Sequence, residues 1–174
     1  MRYVLSLGTN IGDRKNNLLS AVKSLELIPE TKVLDCSSIY ETEPVGYAQQ
    51  DDFYNIALLL ESKFEPNEML GICMGLEAGF NRVREFKNGP RILDVDVIFC
   101  EDKKISTKNL TVPHPRYFER RFVLEPMLEL FPDGEFFGID FKKFIDKIDG
   151  QNVRVADKLS LIHISEPTRQ EAIS

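Results

Sequence analysis

The chain has 174 residues, 43% of them hydrophobic and 29% charged, with 9 Pro and 10 Gly. That composition excludes a mostly disordered chain and fits one globular domain with a proper apolar core, whereas two full domains would be cramped. A net charge of −6, from 22 basic and 28 acidic side chains, argues against nonspecific attraction to nucleic acid.

Residues 3–7 (YVLSL) have strand composition and run into Gly8-Thr9-Asn10, a turn signal. Asp13 is placed to cap a helix in which Leu18, Leu19, Val22, Leu25 and Ile28 recur at spacings of 3 and 4, and Pro29 closes it. Residues 33–40 and 53–61 read as two strands, separated by a turn-rich stretch long enough to suggest a loop with a task. Pro66 fits the first turn of a second helix reaching about Phe80, with Leu70, Cys73, Leu76 and Phe80 in register. Gly71, Gly75 and Gly79 along it predict close packing against a neighbouring element. Ile92–Phe99 (ILDVDVIF) is the most strand-like run, a third helix is predicted over Arg120–Leu130, and a last one over 136–148 after a short strand. Alternating strands and helices with short links favour one α+β domain over residues 1–158, with a mainly antiparallel sheet. The stretch 159–174 loses the pattern and reads as an atypical tail, either a peripheral extension or vector-derived sequence, so His163 is set aside.

Cys36, Cys73 and Cys100 are widely spaced and the chain has two histidines, which supports neither a disulfide framework nor a zinc site. They read as reduced, small hydrophobes. No apolar run approaches the roughly 20 residues that span a bilayer, and MRYVLSLGTNIGD has no cleavage site of the secretory kind, so a cytoplasmic protein with no membrane contact is expected.

The charges are unevenly spread. Residues 81–91 carry Arg82, Arg84, Lys87 and Arg91 against Glu85, and 114–121 carry Arg116, Arg120 and Arg121 against Glu119. Two small basic islands in an acidic chain suit a compact polyanion. In Ile92–Phe99 the side chains of Asp94 and Asp96 share one face while Leu93, Val95 and Val97 share the other. Carboxylates with Cα atoms roughly 6.6 Å apart can converge on a hard cation, Mg²⁺ by preference. The same pattern is also that of an amphipathic strand with a solvated face. Arg91, three residues before Asp94, supplies the planar fork that grips phosphate oxygens, or could simply pair with the acid. No P-loop, dinucleotide loop or nucleophile elbow is present, and His114 has no nucleophile beside it in sequence.

K-N-G-P-R-I-L-D-V-D-V-I, together with Tyr3–Gly12, Tyr40–Gly46 (YETEPVG) and Leu110–Pro115 (LTVPHP), resembles the 6-hydroxymethyl-7,8-dihydropterin pyrophosphokinase family in order and spacing over roughly residues 2–157. The resemblance implies a ferredoxin-like α+β sandwich. It implies transfer of the β,γ-pyrophosphoryl group of ATP to the hydroxymethyl group of the dihydropterin, giving AMP, in folate biosynthesis. Asp94 and Asp96 would hold two Mg²⁺ ions, Arg82 and Arg84 would lie in a loop closing over ATP, and Arg91, His114 and Arg120 would contact phosphate oxygens. Arg82 and Arg91 thereby join the two aspartates as expected catalytic residues, and Glu77 matches a position near the nucleotide. Phe53 and Phe122 would stack on the pterin, Asn55 would hydrogen-bond its edge, and Thr42, Pro44 and Val45 would line the pocket. Without the resemblance both phenylalanines read as core. Two positions depart from the pattern: Asn88 stands where many members have an aromatic residue, and Lys87 where arginine is frequent.

Two other readings remain open from the residues alone. A Mg²⁺-dependent phosphohydrolase would use Asp94 and Asp96 without a pterin, and a nucleotide- or RNA-binding module would use the basic islands without catalysis, although the acidic net charge disfavours it. No obligatory protein partner is expected, and no second catalytic domain fits in this length.

Overall fold

A computed structural model of the chain describes residues 1–43, 50–80 and 92–159. Its centre is an antiparallel sheet. β1 (Arg2–Thr9) lies between β4 (Phe53–Ser62) and β5 (Asp94–Cys100), and β4 is flanked on its other side by β2 (Thr31–Cys36) and β3 (Ile39–Thr42). β2 and β3 pair with successive stretches of β4 and behave as one strand broken at Ser37-Ser38. At the break the Ser37 hydroxyl accepts from the Ala57 N–H, while the Ser37 N–H donates to the Ala57 carbonyl. With α1 (Arg14–Glu26) and α2 (Pro66–Phe80) as crossovers, the order is that of the ferredoxin-like α+β sandwich. β10 (Val153–Asp157) extends the sheet as an edge strand on β3. No sequence signal marked it.

The helices begin where the sequence places them. The Asp13 carboxylate accepts from the Asn16 N–H and caps α1. Pro66 opens α2, and the Glu68 side chain returns to the N–H of Glu65. The glycines of α2 do not pack closely: Gly71, Gly75 and Gly79 are exposed, and among the described residues no atom from outside the helix's own backbone lies within 4 Å of where a Cβ would stand. The apolar stripe of α2, led by Met69 and Cys73, took the sheet side and left the glycine stripe to solvent.

Alternation along the strands creates two cores. Tyr3, Leu5 and Leu7 of β1 with Ile56, Leu58 and Leu60 of β4 bury one face of the sheet beneath α1 and α2. Each fully buried leucine there contributes about 1.5–3 kcal/mol of transfer free energy. On the opposite face Val4, Ala57 and Phe99 pack against Val123, Leu124 and Met127 of α3 (Arg121–Leu130). Phe99 stacks on Phe136 at 5.4 Å and meets Tyr117 edge-on at 5.0 Å. α3 is latched to the β2–β3 break through Glu129, whose carboxylate accepts from the Ser38 N–H and, at 2.6 Å, from its hydroxyl.

The smaller elements differ from expectation. The last helix is a 3-10 segment, Lys142–Lys147, preceded by a hairpin of β8 (Glu135–Phe136) and β9 (Ile139–Asp140). A second two-residue hairpin joins β6 (Ile105–Ser106) to β7 (Thr111–Val112). Strands of two residues are too short to carry a period. Leu159 is buried in the core beneath α1 and α2, and residues 160–174 lie outside the described part. No helix among the described residues is long and apolar enough to cross a membrane.

Candidate active site

α3 covers only part of its face of the sheet. The uncovered part is the floor of a cleft of about 420 Å³ lined by residues from β1, β3, β4, β5 and the segment entering α3. Register explains the lining. Gly8 pairs with Asn55 on one side and Asp94 on the other, and Ser6 pairs with Ala57 and Asp96, so the side chains at these positions share one face. Thr42 pairs with Phe53 at the near end. Gly8 is therefore not part of a turn, since β1 runs on to Thr9, and its missing side chain keeps the floor open.

At the end toward β3 stand Phe53, Phe122, Asn55 and Thr42. Asn55 is buried, and its Nδ2 donates to the Thr42 hydroxyl at 2.9 Å. Behind this end the chain is firmly tied. Asn10 Nδ2 donates to the Gln50 side chain and the Asp51 carbonyl, and Arg14 donates to the Asp52 carbonyl at 2.8 Å while lying 3.9 Å from the centre of the Tyr54 ring. Arg154 of β10 pairs with Glu41 and Asp52, bridging the last residues before Thr42 and Phe53.

At the other end Asp94 and Asp96 line the cleft with Arg116 and Arg120. Arg120 Nη1 lies 3.7 Å from Asp96 Oδ2, and its guanidinium carbon is 5.7 Å from the centre of the Phe122 ring. Glu77 reaches the start of β5 from α2, where its Oε2 accepts from the Val95 N–H at 3.1 Å. Burial first, then hydrogen bonding to Asp94 and the negative charge around it, push the Glu77 carboxyl up to about 8, with the Val95 N–H opposing. A side-chain hydrogen bond thus joins the Glu77 carboxyl to Asp94. His114 is half-buried, and its Nδ1 accepts from the Arg116 N–H at 3.1 Å. Burial, then Arg120 and Arg116, lower it to about 4 against the pull of Asp94. At pH 7 it is a neutral imidazole with its proton on Nε2.

Among the described residues no group of three or more His, Cys, Asp or Glu is arranged to hold a metal by itself. Two aspartates on one strand face suit a different arrangement. Mg²⁺ keeps waters and takes one or two carboxylates plus phosphate oxygens, so the donor set fits a cation that arrives with a nucleotide.

Of the residues expected from the sequence, the cleft brings together Thr42, Phe53, Asn55, Asp94, Asp96, Arg120 and Phe122. Glu77 supports Asp94 from the neighbouring helix, and His114 stands outside the lining within the field of Arg120 and Asp94. Pro44, Val45, Arg82, Arg84 and Arg91, with Lys87 and Asn88, lie outside the described residues. Ser6, Gly8, Glu43, Arg116, Glu119 and Gln151 also line the cleft and were not expected as site residues. Running β1 one residue past Leu7 and reading its alternation would have put Ser6 and Gly8 on one face; nothing local marks Gln151.

A family model described as 7,8-dihydro-6-hydroxymethylpterin-pyrophosphokinase (HPPK) matches residues 4–132. The chain is 37% identical over 152 residues to the 2-amino-4-hydroxy-6-hydroxymethyldihydropteridine pyrophosphokinase of Methylorubrum extorquens, covering 87% of this chain and 96% of that protein. It is 42% identical over 126 residues to the bifunctional protein FolKE of Lactococcus lactis subsp. lactis, covering 72% of this chain and 36% of that longer protein. The crystal structure of an HPPK-DHPS in complex with substrates superposes with a TM-score of 0.64 over 84% of this chain and 44% of that one, at 13% identity, a likeness of fold alone. With these matches running through the strands that build the cleft, the chain belongs to the 7,8-dihydro-6-hydroxymethylpterin-pyrophosphokinase (HPPK) family of enzymes.

Proposed function

We propose that this cleft transfers pyrophosphate from ATP to 6-hydroxymethyl-7,8-dihydropterin, giving AMP and the pterin diphosphate, with Mg²⁺ bound by Asp94 and Asp96. The observation that carries the reading is the division of one open half-face. Two aromatic side chains and a buried amide gather at one end, and two carboxylates with arginines at the other. A flat heterocycle with donors and acceptors on its edge matches the first end, and a polyphosphate with its cation matches the second.

The hydroxymethyl oxygen attacks the β-phosphorus of ATP, the bond from that phosphorus to the oxygen bridging the α-phosphorus breaks, and AMP leaves carrying that oxygen. The hydroxyl proton passes to water, since no side chain among the described residues of the cleft is placed as an evident base. Phe53 and Phe122 hold the pterin plane, and Asn55, kept in place by Thr42, reads its edge. Arg120 neutralises phosphate charge, and His114 offers one neutral Nε2–H donor. Bound Mg²⁺ would supply charge neutralisation and alignment of attacking and leaving oxygens. Arg82, Arg84 and Arg91 complete the phosphate contacts in this reading, and Pro44 and Val45 the pterin wall.

The test is AMP formation from ATP and Mg²⁺ with and without the dihydropterin, following nucleotides and pterin product together. Pterin-dependent AMP with pyrophosphorylated pterin supports the reading. ADP or phosphate released without pterin would instead indicate a hydrolase, and no turnover by folded protein a binding module.

A further inference from the structure

α3 carries Phe122 in its first turn and Arg120 at its cap, so the position of its N-terminus sets two walls of the cleft. That terminus has no local cap. Arg120 is extended at the cap position and its side chain makes no capping hydrogen bond, which leaves the first N–H groups of the helix to be satisfied elsewhere. The missing partner comes from 30 residues downstream. Gln151 Oε1 accepts from the Arg121 N–H at 2.9 Å, and Gln151 Nε2 donates to the Glu119 carbonyl at 3.0 Å. One side-chain amide thus grips the backbone on both sides of Arg120. A carboxylate could make only the first bond, and asparagine is one methylene shorter.

We propose that Gln151 is a positioning residue for the reaction, holding Arg120 against Asp96 and Phe122 over the pterin end of the cleft; the assignment rests on the proposed pyrophosphoryl transfer. Three further observations support it. Gln151 lines the main cleft and also a smaller cavity of about 80 Å³ against Phe122. The same region makes a second tie, from Arg121 Nη2 to the Ile145 carbonyl at 2.9 Å. The opposite end of α3 is already fixed by Glu129 on Ser38, so a loosened N-terminus would swing about that latch and carry Arg120 and Phe122 with it. Residues 145–151 follow the end of the family-model match at 132.

Steady-state kinetics and melting of the full chain carrying Gln151→Ala or Gln151→Glu test the assignment. In Gln151→Ala, kcat falls and KM for the dihydropterin rises, each by about three- to tenfold, with Gln151→Glu between it and the wild type. If folded Gln151→Ala keeps the wild-type kcat and both KM values, Gln151 is only a helix cap whatever the melting temperature does, and the proposal fails. Should the alanine variant not fold, wild-type kinetics in folded Gln151→Glu overturn the proposal equally. A wild-type chain that makes no pterin diphosphate would sink the reaction instead. In that case the Arg120 Nε–H and Phe122 ring NMR signals decide. They shift between wild type and Gln151→Glu without substrate if Gln151 sets their position, and unmoved signals refute it.

Discussion

A Cβ on Gly8 would stand 2.9 Å from the side-chain oxygen of Asn55, the residue it faces across β1 and β4. Asn55 cannot yield cheaply, because it is buried and its amide is committed to Thr42. Gly8→Ala is therefore expected to cost about 1–3 kcal/mol of stability by overpacking, against the small gain alanine normally brings to a strand. It should also raise KM for the pterin well beyond KM for ATP. Chemical melts with parallel kinetics check this, and a variant as active and stable as the wild type would show that the floor is not tight.

Asn55→Ala removes both the edge-reading amide and the partner of the buried Thr42 hydroxyl. The stranded hydroxyl predicts a stability loss of about 1–3 kcal/mol. Pterin affinity should fall by about 10- to 100-fold, equivalent to one or two good hydrogen bonds. Calorimetric titration with the pterin in the presence of an unreactive ATP analogue measures the second effect directly.

Asp96 has two roles in this cleft, as an oxygen donor on the strand face and as the partner of Arg120. In Asp96→Asn, turnover is expected to fall by at least about a hundredfold, the scale of losing one electrostatic contact in a transition state. The Mg²⁺ concentration for half-maximal rate should rise as well. An unchanged Mg²⁺ dependence in a folded Asp96→Asn protein would remove the aspartate from the cation site.

Two groups make stability depend on pH in opposite senses. Glu77 is raised from 4.5 to about 8, so the folded state binds more protons between those values and stability contributed below pH 4.5 is lost as pH rises toward 8. His114 is lowered from 6.5 to about 4, so the folded state binds fewer protons there and stability present above pH 6.5 is lost as pH falls toward 4. The melting temperature of Glu77→Gln relative to the wild type should accordingly climb from pH 4.5 to 8 and then level off. In a ¹H–¹⁵N titration the His114 imidazole should show no midpoint between pH 5 and 8.

The thiols are expected to be inert in the native protein. Burial pushes Cys36 and Cys73 up to about 12, and raises Cys100 as well. At pH 8 the thiolate fraction of the first two is about a thousandfold below that of a free cysteine. A disulfide reagent should titrate the buried Cys73 and Cys100 only after denaturation, and their rapid reaction in the native chain would contradict the burial.

The resemblance to the pyrophosphokinase family was legible in four separated motifs, and the family match agrees with it. Most of the cleft lining it implied among the described residues is brought together, because alternation on β4 and β5 puts Phe53 with Asn55 and Asp94 with Asp96. The support around them was not legible. Gly8 looks like a turn residue until its two neighbours across the sheet are known, and Gln151 has no pattern of its own because its partners sit 30 and 32 residues away.

By itself the sequence determined the longer strands β1, β4 and β5 and where α1 and α2 begin, the helix starts because they depend on contacts within a few residues, such as Asp13 with Asn16 or Pro66 at a first turn. It also determined which side chains share a face of a strand. Only the tertiary structure decided which face is covered. The side of α2 bearing Met69 and Cys73 packed on the sheet and its glycines were left to solvent, and α3 settled over Ala57 and Phe99 while Ser6 and Gly8 stayed open. Periodicity distinguishes two faces but carries no information about what lies opposite each one, and that is set by long-range packing.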